Sequence, residues 1–67
     1  MSVGSKLRSL RGNKTLQATA DAIGITKSAL AMYEKDKRVP RDEVKVRVAK
    51  YYGVTVQSLF FADNEHI

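Results

Sequence analysis

Between Thr26 and Arg41 the sequence sets two aliphatic hydroxyls (Thr26, Ser28) and a thioether (Met32) among the cations Lys27, Lys35, Lys37, Arg38 and Arg41. The hydroxyls and cations donate hydrogen bonds, the cations neutralise negative charge, the thioether offers apolar contact, and none of them trades protons near neutral pH. The rest of the chain adds no catalytic equipment. His66 is the single histidine and sits in the tail; there is no cysteine, no phosphate-cradling glycine loop and no cluster of carboxylates. The residues therefore specify no catalytic site, no metal site and no cofactor, and the chemistry on offer is that of holding a partner.

The elements that must position these residues are marked by glycine. "AIGIT" (22–26) and "YYGVT" (51–55) repeat one device. Gly suits the left-handed position that ends a helix, Ile25 or Val54 folds back, and Thr26 or Thr55 caps the next helix. "RGNKT" (11–15) breaks the chain again, with Thr15 as cap, and Pro40 closes the loop "DKRVP" ahead of Asp42 and Glu43 in a new first turn. The spacing predicts five helices, over 2–11, 16–23, 27–34, 42–52 and 56–61. Leu7 and Leu10 stripe the first, Ala20 and Ile23 the second. "VKVRV" (44–48) alternates like a strand, but its flanking acids, Gly53, and the shared face of Val44, Val48 and Tyr51 favour a helix.

The helices over 16–23 and 27–34, joined by "GIT", outline a helix-turn-helix. At roughly 100° per residue, Ala29, Leu30 and Tyr33 gather on a core side of the second, opposite Lys27, Ser28, Ala31, Met32 and Lys35. An outward face this slim can enter a DNA major groove. On that reading Thr26 caps the helix, whose free N–H groups can meet a phosphate. Lys27 and Ser28 donate to guanine acceptors or backbone oxygens, and Ala31 and Met32 suit the thymine methyl. Lys35, Lys37 and Arg38, with Arg41 beside them, clamp phosphates. The bland alternative is a solvated basic loop and a Met32 that fills the core.

The helix after the second "GVT" carries no cation. Leu59, Phe60 and Phe61 point roughly 100° apart, too widely for one narrow face. Either they form a dimer interface with a second copy of the chain, or they close the core from its end.

The 67 residues make one small domain, read as 1–61 with 62–67 a short flexible tail. A net charge of +5 favours nucleic acid or an acidic membrane. No run is long enough to span a membrane and no signal peptide stands at the start, which fits a cytoplasmic protein.

Over 3–61 the chain resembles the Cro/CI-type helix-turn-helix family, the phage-repressor-like proteins also named for the xenobiotic response element. The resemblance rests on "VGSKLRSLR", "ADAIGITKSALAMYE", "EKDKRVP" and "AKYYGVTVQSLF" in that order. It implies an all-α, compact five-helix bundle that binds a double-stranded DNA operator as a homodimer and regulates transcription, most simply as a repressor. It places the start of the reading helix on Thr26, Lys27 and Ser28, a mid-helix base contact on Met32, and a structural ion pair on Arg11 and Glu34. The family begins its second helix with a DNA-contacting Gln. Here Leu16 holds that place, and either Gln17 takes over the DNA-binding role or the contact is absent. "GNKT" is shorter than the family's loop, and Asp36 stands where the family commonly has Gly. The alternative function is an antitoxin or anti-regulator whose main role is to hold a protein partner, a toxin or an anti-repressor.

Overall fold

Ser2, Thr15 and Thr26 each turn a side-chain oxygen to accept from a backbone N–H in the first helical turn, those of Ser5, Ala18 and Ala29. They open α1 (Val3–Arg11), α2 (Leu16–Ile23) and α3 (Lys27–Glu34) of the computed structural model, which describes residues 2–61. Met1 and the tail 62–67, with His66, lie outside the described residues. α4 (Asp42–Tyr52) starts without a side-chain cap, and Asp42 and Glu43 instead place negative charge at its positive end. Among the described residues there is no strand, so the alternating valines are helical: Val48 is buried and Val46 lies on the surface.

The two glycine turns form in the same way. Gly24 (φ 91°) and Gly53 (φ 69°) take the left-handed conformation, and the amides of Ile25 and Val54 each bond back into the preceding helix, to the Ala20 and Ala49 carbonyls at 3.0 Å. Behind them lies the core of Leu7, Ile23, Tyr33, Val48, Ala49, Leu59 and Phe60. Leu30 is fully buried as well.

Two expectations change. Leu10 does not join Leu7 in the core and is 42% exposed; with Val54, Leu59 and Lys6 it lines an open apolar groove of about 280 Å³ between α1 and the start of α5. The last segment, α5 (Gln57–Phe61), is wound as a π-helix. In that segment the neighbours Leu59 and Phe60 both point inward, as the neighbours Val48 and Ala49 do in α4. The expected interface of Leu59, Phe60 and Phe61 is therefore corrected: the first two complete the chain's own core, and Phe61 keeps a surface, 39% exposed.

Candidate nucleic-acid interface

α3 shows the bundle Leu30 and Tyr33, both buried, with Ala29 half-buried beside them. Its other side is open: Lys27, Ser28 and Lys35 are exposed, and Met32 is 40% exposed. Ala31 is half-buried at the edge of this strip, on the wall of a crevice between α1, α2 and α3. Thr26 at the head of the helix gives its side-chain oxygen to the Ala29 amide at 3.0 Å, which fixes where the helix begins.

The end of α3 is set with equal care. Asp36 is left-handed (φ 59°), and the Asp36 amide bonds to the Tyr33 carbonyl while the Lys37 amide reaches the Met32 carbonyl at 2.9 Å. This paired pattern folds a chain sharply back at a helix end; the Lys37 and Arg38 that follow are exposed, and Arg38 lines a crevice with Tyr33, Arg41 and Glu43. The Asp36 side chain holds the turn in place, its Oδ1 accepting from the Gly4 amide at 2.9 Å. Only a glycine permits this approach, since a Cβ at position 4 would collide with the Glu34 carbonyl.

Beneath the crevice the Arg11 guanidinium grips Glu34 with two bonds, Nε to Oε2 at 2.7 Å and Nη2 to Oε1 at 3.0 Å, and gives a third to the Lys14 carbonyl at 2.6 Å. The pair is largely enclosed, with the Glu34 side chain 6% exposed. The hydrogen bond with Glu34 pushes the Arg11 pKa upward against the opposing effect of burial. Arg11 therefore ties α1 and the following loop to α3, as the resemblance implied, although the loop is short. The Tyr52 hydroxyl is also buried, with no hydrogen-bond partner among the described residues. Burial first, and then the Glu34 charge, push its pKa up to about 12.

The acids on this side are engaged with the chain itself. Asp21 accepts from Gln17 Nε2 at 2.9 Å, Glu34 is paired with Arg11, and Asp36 holds the Gly4 amide. The side chains of Lys27, Lys35, Lys37 and Arg38 have no partner among the described residues. The result is a surface of uncompensated positive charge around a slim, partly apolar helix face, suited to a polyanion with readable edges. Gln17 is exposed beside it with its amide directed along α2, while Leu16 turns into the crevice.

Two arrangements were not visible beforehand. The Gly4–Asp36 tie joins residues far apart in sequence, and its only signal was an Asp in a position that asks for Gly. Arg47 of α4 donates through Nη1 to the Gly24 carbonyl at 3.2 Å, bracing the turn between α2 and α3 from behind. No local pattern announces that contact. Among the described residues, no helix is long and apolar enough to cross a membrane, and no group of three or more His, Cys, Asp or Glu could hold a metal ion.

Residues 7–59 match the helix-turn-helix family. Over 57 residues the chain is 37% identical to a protein of Vibrio cholerae described as the cryptic phage CTXphi transcriptional repressor RstR. The alignment covers 82% of this chain and 51% of that protein, so the chain spans about half the length of the curated relative it matches. The antitoxin reading receives no support from either comparison. With the capped two-helix unit, the glycine turn and a family match that runs from α1 into α5, this chain belongs to the Cro/CI-type, phage-repressor-like helix-turn-helix family.

Proposed function

We propose that residues 1–61 form a sequence-specific double-stranded DNA-binding unit, with 62–67 as a tail, that regulates transcription in the cytoplasm. It acts as a repressor by occupying a near-palindromic operator as a homodimer, without catalysis. The observation that carries this reading is the open strip of α3, where Lys27, Ser28, Met32 and Lys35 reach solvent over the buried Leu30 and Tyr33.

In the major groove Lys27 and Ser28 enter first and donate to guanine acceptors or backbone oxygens, while Met32, and Ala31 from the edge, lie against thymine methyls. Thr26 fixes the helix start against the backbone. Lys35, Lys37 and Arg38 hold phosphates beside the groove, and each contact contributes affinity without reading sequence. Gln17 contributes the second N–H of an amide whose first is held by Asp21. Two copies place their α3 helices about 34 Å apart, one turn of the duplex. Phe61 supplies an apolar contact between them, and the ring lies under Lys45 Nζ at 4.8 Å from its centroid.

Selection of bound sites from random DNA tests this reading. A palindromic consensus with half-sites one helical turn apart is the expected result. Recovery of unenriched sequence would remove specific recognition, and a single asymmetric site would remove the homodimer.

A further inference from the structure

We propose that Arg8, on α1 and outside the helix-turn-helix, is a DNA-backbone contact that works with Lys35 as a two-sided clamp on one phosphate. This rests on the DNA-binding reading above. The crevice of about 220 Å³ between α1, α2 and α3 has Arg8 on one wall and Lys35 on another, with Leu16 and Ala31 between them. Both cations are exposed, and neither side chain has a hydrogen-bond or ion-pair partner among the described residues.

The remaining charges in the crevice explain why the two stay available. Glu34 is the carboxylate closest to hand, and both of its oxygens are taken by Arg11. The floor thus carries a neutralised pair, while the rim carries two uncompensated positive charges. An anion entering from the side of α3 would meet Arg8 and Lys35 and no free carboxylate. Ala31 belongs to both this crevice and the edge of the open strip. A duplex seated on α3 therefore brings its flanking backbone, rather than its base edges, over the crevice. A guanidinium suits that role, because its planar fork gives two hydrogen bonds to one phosphate where an ammonium acts as a point charge.

The clamp makes three distinct demands. Neutralising one phosphate contributes about 0.9 to the slope of log affinity against log salt. Arg8→Ala should flatten the slope by about that amount and weaken binding by a similar factor on every operator variant. Arg8→Lys should keep the slope, since the charge remains, and lose part of the affinity with the fork. Arg8→Ala combined with Lys35→Ala should cost less than the product of the two single losses, because both groups hold the same phosphate.

The experiment is a salt titration of the full chain and these variants on a mixed-sequence duplex and on selected operator duplexes, with thermal melting recorded in parallel. Wild-type slope in Arg8→Ala, with melting unchanged, overturns the clamp and leaves DNA binding standing. A loss confined to some operators makes Arg8 a base reader and also overturns it. Multiplying single effects leave two separate contacts and remove the shared phosphate. Should the wild-type chain bind neither duplex with salt sensitivity, the DNA-binding reading falls and takes the clamp with it.

Discussion

Glu34 gives one carboxylate oxygen to Nε and the other to Nη2 of Arg11, so the last residue of α3 is locked to the last residue of α1. Truncating one member of such an enclosed pair leaves the other charged and unpaired, at a cost of about 3–5 kcal/mol. Arg11→Ala or Glu34→Ala should show that loss in urea unfolding. Replacing both with Met should recover much of it, because apolar packing can substitute for a buried ion pair. Equal losses in the single and double variants would mean the pair acts through something other than its charges.

Asp36 and Gly4 make a second tie, between α1 and the turn that follows α3. Asp36→Gly should lose the side-chain hydrogen bond while keeping the turn, costing about 1–2 kcal/mol. Asp36→Ala should cost about 1 kcal/mol more than Asp36→Gly, because Ala keeps a Cβ in the left-handed region whereas Gly relieves that strain. Gly4→Ala separates two opposing effects. Helix propensity favours Ala by about 1 kcal/mol, whereas the collision with the Glu34 carbonyl works against it. Net destabilisation is expected, and a more stable Gly4→Ala variant would show that α1 can slide away from α3.

Met32 and Lys37 should fail differently. Met32→Ala is expected to relax preference at defined thymine positions, each by about 1 kcal/mol or slightly more, with little change elsewhere. Lys37→Ala should weaken all sites alike and flatten the salt dependence. Competition binding across single-base operator variants separates the two patterns, and a uniform effect from Met32→Ala would take it out of the groove.

Leu59 and Phe61 divide stability from association. Leu59→Ala should destabilise the fold by about 2–5 kcal/mol, as core truncations do. Phe61→Ser should leave melting at low concentration nearly unchanged and raise the dimer dissociation constant, which sedimentation measures directly. Undiminished association in Phe61→Ser would move the dimer contact elsewhere.

Tyr52 predicts an alkaline limit. Its folded pKa, about 12, is above the usual value of 10.0, so the folded state favours the neutral phenol. That preference contributes fully below about pH 10 and is lost as pH rises toward 12. Tyr52→Phe should fold well at neutral pH, since the hydroxyl has no partner among the described residues to lose, and it should show a shallower decline in stability between pH 10 and 12. Parallel declines in the two proteins would assign the alkaline transition to other groups.

How legible the molecule was depends on the range over which each feature is encoded. Thr15, Thr26, Gly24 and Gly53 act within a turn or two, and the helices they bound were readable to within a residue. The side of α3 left open followed from angular spacing because Leu30 and Tyr33 are too large to sit outside. α5 was legible only as two alternatives, since three large neighbours about 100° apart say that one must stay outside a narrow core and not which; the bundle buries Leu59 and Phe60 and leaves Phe61 at the surface. Leu10 misled because periodicity gives a direction and cannot say where the core ends. Gly4 with Asp36, and Arg47 with Gly24, depend on which helices meet, and that information appears only once the bundle is assembled.

The brace from Arg47 to the Gly24 carbonyl has a bearing on how the domain engages its target. With that elbow held from the fourth helix, and both ends of α3 pinned by Thr26 and Asp36, the reading unit has little freedom left to surrender on arrival. A pre-set shape keeps the entropic cost of docking low. On the DNA-binding reading, a rigid unit adds the cost of bending each duplex to the direct readout by Lys27, Ser28 and Met32, so bases that no side chain touches would also affect affinity through the stiffness of the DNA.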